Sequence, residues 1–70
     1  MSRREAPVFE QATLRERFQA LLEQERQALA VYESVVGSAT DPAVRKQAIQ
    51  LRKEKERHIR LTERLLEIVD

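Results

Sequence analysis

Glu25, Lys55 and His58 are the residues of this chain best placed to do chemistry, because each interrupts a helical stripe that is otherwise apolar. A carboxylate or an imidazole set among Leu and Ala side chains is costly to bury unless it is paired or binds something. His58 is the only histidine, and Lys55 stands three residues before it, where two side chains share one side of a helix. Glu54, four residues before His58, projects to a similar side. Tyr32 adds a phenol one heptad beyond Glu25, expected as a core aromatic with its hydroxyl bonded to a carboxylate. Together these groups form a polar layer that either neutralises itself or holds a cation.

Two helices are expected to position them. From about Thr13 the residues Leu14, Phe18, Leu21, Leu22, Ala28, Leu29, Tyr32, Val35 and Val36 recur at spacings of three and four, and Thr13 with Glu16 makes a capping-box pattern. Gly37, the only glycine, is expected to close this helix as its C-cap. Thr40 or Asp41 can then cap a second helix with Pro42 in its first turn, carrying Val44, Ala48, Leu51, Ile59, Leu61, Leu65, Leu66, Ile68 and Val69. Residues 1–12 are expected to be a flexible N-terminal arm, with Phe9 available to a partner, and residues 13–70 to be the helical hairpin. So short a connection makes the helices antiparallel, and facing residue numbers then sum to about 80. In that register Glu25 faces Lys55, Tyr32 faces Ala48, Val36 faces Val44, Leu29 faces Leu51, Leu22 faces His58 and Leu21 faces Ile59.

Composition supports one short all-α unit. The chain has 70 residues, 41% hydrophobic and 36% charged, with one Gly and two Pro, too few turn formers for a β fold. Cysteine is absent, so only a metal or self-association can supplement a core of this size. A net charge of +1 and the alternating signs of residues 52–60, without an aromatic to stack a base, argue against a nucleic-acid partner. No run approaches a membrane span, and no apolar segment follows the charges at the start, so the expectation is a cytoplasmic chain. Ser34, Ser38 and Thr40 lie near the turn, far from His58, and one glycine cannot build a phosphate loop. No nucleophilic or nucleotide chemistry is expected, and no catalytic residue is assigned.

The segment Glu25-Arg26-Gln27-Ala28-Leu29-Ala30-Val31-Tyr32 has an E-x-x-A-x-x-x-Y pattern, and Glu54-Lys55-Glu56-Arg57-His58 follows on the second helix. These motifs resemble the iron-binding helices of the ferritin-like superfamily, in particular rubrerythrin-like proteins and encapsulated ferritins, over about residues 13–69. The resemblance implies an antiparallel two-helix hairpin that dimerises into a four-helix bundle, with iron as the cofactor and a protein shell as one conceivable partner. It carries Glu25 onto the first-helix ligand and His58 onto the second-helix histidine, with Tyr32 as the nearby phenol. The family's bridging carboxylate belongs at position 55, where this chain has Lys55.

Three readings follow. In one, the Lys55 ammonium replaces the metal and neutralises Glu25, with His58 as a hydrogen-bonding partner. In another, Glu25, Glu54 and His58 bind iron or zinc at a dimer interface. In the last, the polar layer is simply wet. Each helix carries an apolar sector broader than a single seam requires, so a second copy of the chain is expected to complete the bundle. The functional expectation is a ferritin-like hairpin with a degenerate or altered metal site, against the alternative of a non-catalytic oligomerisation or protein-interaction module.

Overall fold

The computed structural model of the protein describes residues 8–69, with side chains described from Glu10 onward. These residues form two helices, α1 (Val8–Ser38) and α2 (Pro42–Val69), and no strand. Packed side by side, they make a rod with Cα extents of 58 × 14 × 14 Å. The expectation of an all-helical chain with two helices therefore holds.

The corner explains the hairpin. Asp41 Oδ1 accepts a hydrogen bond from the Ala43 backbone N–H at 2.8 Å, while the Arg45 N–H reaches the Asp41 carbonyl at 2.9 Å. Asp41 is thus the N-cap of α2, and Pro42 fills the first helical position, where its missing N–H is no loss. Arg45 also reaches back, its Nη1 donating to the Val36 carbonyl at 2.6 Å. A guanidinium on a carbonyl left open at the end of α1 satisfies an orphan acceptor and opposes the negative end of the helix dipole.

Both ends of α1 differ from the sequence expectation. Gly37 does not cap the helix: no glycine among the described residues has a positive φ, and the helix runs on through Ser38. The Ala39 N–H continues the ladder to the Val35 carbonyl at 2.8 Å, and Ser38 Oγ donates to the Ser34 carbonyl at 2.8 Å. At the other end α1 starts at Val8, so residues 8–12 are helical and Thr13 lies inside the helix. A proline costs nothing just before or within a first turn, so Pro7 in the sequence need not delay the helix to Thr13. Residues 1–7, the remainder of the expected arm, and the Phe9 side chain lie outside what is described.

The interhelical seam is a heptad on each side. On α1 the shielded positions Phe18, Leu22, Glu25, Leu29, Tyr32 and Val36 alternate spacings of four and three, and on α2 Ala48, Arg52, Lys55, Ile59, Thr62 and Leu66 do the same. Such alternation keeps one stripe facing the partner helix along the whole contact. Among the described residues, Leu22, Val36, Ala48 and Thr62 are buried. The Lys55–Glu25 contact confirms a residue-number sum of 80 across the seam. Leu21 and Val44, expected to meet partners across it, are instead 41% and 48% exposed. They belong to a second stripe beside the first, and His58, expected against Leu22, also sits toward that outer side, with half its side chain exposed.

The outer stripe has the same period. Leu14, Phe18, Leu21, Glu25, Ala28, Tyr32 and Val35 run along α1, and Val44, Leu51, Glu54, His58, Leu61, Leu65 and Ile68 along α2, at multiples of the three-and-four step. Leu14, Leu21, Val44, Leu61, Leu65 and Ile68 are all exposed large apolar residues, with Ile68 at 77%. Near the corner the two rows frame an open apolar groove of about 250 Å³ lined by Tyr32, Val35, Val44, Gln47, Ala48 and Leu51.

Candidate functional site

Midway along the seam the apolar packing gives way to a shielded ionic layer. Lys55 Nζ donates to Glu25 Oε1 at 2.9 Å, and His58 Nδ1 lies 3.3 Å from the other oxygen, Glu25 Oε2. Lys55 and His58 reach the same carboxylate because they are three residues apart on α2 and project to one side. The Glu25 side chain is 14% exposed and that of Lys55 25%, so the pair is largely shielded; His58 is at 52%. Leu22, one turn away on α1 toward the open end, is buried.

Electrostatics follow from this geometry. The hydrogen bond from Lys55 holds the Glu25 carboxyl below its ordinary value of 4.5, helped by the charges of Lys55 and His58 and opposed by partial burial. Reciprocally, the bond to Glu25 raises Lys55 above 10.5, with smaller contributions from Glu25, Tyr32 and Glu54 charge, against partial burial. A carboxyl with a lowered folded pKa contributes stability that is present above pH 4.5 and is lost as pH falls through the lowered value. An amine with a raised folded pKa contributes stability present below pH 10.5 and lost as pH rises through the raised value. Thermal melts of the protein and of Lys55→Met across pH should therefore differ most between 4.5 and 10.5 and converge outside it. Parallel profiles over the whole range would show that the pair contributes nothing to folding.

Of the residues singled out in the sequence, Glu25, Lys55 and His58 are brought together and two are not. Glu54 is exposed, next to Lys55 but outside the contacts to Glu25. Tyr32 is half-buried in the groove toward the corner, and no bond from its hydroxyl to a carboxylate is found among the described residues. The fit to an iron or zinc centre within one hairpin is poor. Both oxygens of Glu25 already contact Lys55 and His58, and among the described residues no three His, Cys, Asp or Glu side chains converge as a ligand set. An ammonium beside the carboxylate supplies the positive charge that a metal would otherwise bring.

Arg26 was not singled out in the sequence, yet its Nη2 spans the seam to Glu63 Oε2 at 3.1 Å. Both side chains are about half exposed, which limits the pair to less than about 1 kcal/mol. No sequence signal separates it from the many other Arg and Glu residues of the chain. Among the described residues no helix is long and apolar enough to cross a membrane. Compared with known proteins, the chain matches no protein-family model, no curated protein and no solved structure.

Proposed function

We propose that the chain is a ferritin-like helical hairpin in which the Lys55 ammonium has taken the place of the metal, and that it acts as a non-catalytic homodimerising module. The observation that carries this reading is the Lys55–Glu25 contact of 2.9 Å, at the position where the E-x-x-H pattern of the resembled family calls for a bridging carboxylate. A self-neutralised layer can form without any cofactor. It also gives the bundle a fixed register, the best attested use of a polar group in a helical seam.

Dimerisation is supported by the outer stripe. Exposed apolar residues on a monomer are usually scattered, whereas here six of the seven large ones among the described residues, all but Val31, fall on one face of each helix at heptad spacing. Two hairpins joined through that face form a four-helix bundle, with the Glu25 layers of both chains at its centre.

Sedimentation equilibrium together with thermal melts in chelator, Fe²⁺ or Zn²⁺ tests the reading. The expected result is a species of twice the 8.2 kDa chain mass whose midpoint is unchanged by either metal. A stable monomer at high protein concentration would overturn the module. A dimer whose midpoint rises with iron or zinc would instead point to Glu25, Glu54 and His58 as ligands.

A further inference from the structure

Charges around the outer apolar face are sorted by sign. Arg17 follows Leu14 by three positions and precedes Leu21 by four, so it borders their row on α1. Arg57 precedes Leu61 by four and Arg64 precedes Ile68 by four, so both border the matching row on α2. All three arginines are exposed, and none has a polar partner among the described residues. Glu16, Glu23, Glu56, Glu63 and Glu67 each stand two positions after a member of an outer row, about 200° around the helix, and so lie on the opposite face. Among the described residues the outer side keeps three acids: Glu25, held by Lys55 and His58, Glu54 beside Lys55, and Glu10 near the tip of the rod.

We infer that this face is a docking surface for an amphipathic helix of another protein, apolar on one side and flanked by Asp or Glu toward one end. Two parallel rows of apolar side chains at heptad spacing frame a trough, and a helix laid along it sets its own three-and-four stripe into both rows. On the corner side the trough deepens into the open groove of about 250 Å³, which takes a bulky apolar side chain. The residues bordering that half, Gln24, Val31 and Gln50, carry no charge. Beyond the Glu25–Lys55 layer the border is arginine on both edges. The distance from Val44 to Leu65 is about 32 Å at 1.5 Å per residue, so the occupant has about three heptads, with its acids over Arg17, Arg57 and Arg64.

This goes beyond the homodimer, which buries the same apolar rows. A second copy brings the same three arginines and leaves its acids on its far side, so it neutralises none of them. A helix flanked by carboxylates answers both the apolar rows and the charge at their edges, and charge at the rim of an interface steers association and selects the partner. The acidic helix and a second copy therefore compete for one face.

Fluorescence anisotropy with two synthetic helices tests this. The probes are labelled peptides of about three heptads with Leu at the a and d positions, one with Glu at e and g and the other with Lys there. Each is titrated with the full chain over a dilution series, so that self-association does not mask the face. The glutamate peptide is expected to bind roughly tenfold tighter than the lysine peptide, the sum of three exposed ion pairs. Its advantage should vanish in the triple variant Arg17→Gln, Arg57→Gln, Arg64→Gln at native helicity, and persist in Arg60→Gln, two positions beyond His58 and on the opposite face. Equal binding of both peptides, or an advantage that survives the triple variant, overturns the proposal. So does failure to bind the glutamate peptide, and flotation of the same chain with vesicles of mixed phosphatidylcholine and phosphatidylserine would then assign the face to an anionic lipid surface. Sedimentation without peptide reads the homodimer separately: a monomer that binds the glutamate peptide removes the dimer and keeps the docking surface, and a dimer that binds neither peptide does the reverse.

Discussion

Leu22→Ala is expected to leave the protein largely unfolded at room temperature. Leu22 is 8% exposed and is one of only three buried apolar side chains among the described residues, with Val36 and Ala48. Truncating a buried leucine costs about 2–5 kcal/mol, from lost transfer energy and the cavity left behind. A core in a chain of this length supplies about 3–5 kcal/mol in all, so the loss is comparable to the whole. Position adds to the effect, because Leu22 lies one turn from Glu25 on the same seam stripe, so the cavity opens beside the shielded Glu25–Lys55 pair. Leu21→Ala is the matched control: at 41% exposure on the outer stripe it should leave helicity intact and weaken self-association instead. Urea titrations followed by circular dichroism, at one protein concentration for all variants, measure this. Equal midpoints for Leu22→Ala and the unsubstituted chain would mean that the seam does not run through Leu22.

The second large effect is at Lys55. Lys55→Glu sets a carboxylate against Glu25 in place of an ammonium 2.9 Å away, turning attraction into repulsion in a shielded layer. In chelator the variant should melt well below the unsubstituted chain, and part of the loss should return on acidification as one of the two facing carboxyls, its pKa raised by the like charge, takes up a proton. Addition of Fe²⁺ or Zn²⁺ should then raise its midpoint, because the substitution supplies the carboxylate three residues before His58 that the ferritin-like pattern requires. Metal at one hundred times its dissociation constant contributes roughly 2.7 kcal/mol. Lys55→Met, which removes the charge at similar length, should be milder and indifferent to metal. A destabilised but metal-indifferent Lys55→Glu dimer would reduce the likeness to ferritins to architecture alone, and an undisturbed melting curve would remove the ionic layer as a contributor to stability.

Much of the hairpin was legible in the sequence, and the reason is local. Asp41-Pro42 announces a helix start by its own chemistry, so the corner and the residue-number sum near 80 could both be read, and with them the opposition of Glu25 and Lys55. The seam itself was harder to read because apolar residues stand in adjacent pairs: Leu21 with Leu22, Val35 with Val36, Leu65 with Leu66. Neighbours in a helix are about 100° apart, so each pair serves two stripes, and hydrophobicity alone cannot say which member faces inward. Thr62, 5% exposed, was missed because a hydroxyl residue does not register in an apolar count, although it completes the heptad between Ile59 and Leu66. Gly37 misled because glycine is enriched just beyond helix ends but is tolerated within one. Both Arg45 to Val36 and Arg26 to Glu63 depend on long side chains reaching across the seam, which spacing along one helix does not encode.

Antiparallel pairing about one corner also dictates an order of assembly. The contacts across the seam join residues separated by 9 positions at Arg45–Val36, 30 at Lys55–Glu25 and 37 at Arg26–Glu63. Each successive contact closes only a small additional loop once the previous one is in place, so the entropy lost per step stays low. The chain can therefore zip from the Asp41 cap outward, and such nearest-first connectivity belongs to the fast-folding end of protein topologies. Unzipping runs the other way: the open end of the hairpin parts first, then the carboxylate held by Lys55 and His58, and last the Arg45–Val36 contact at the corner.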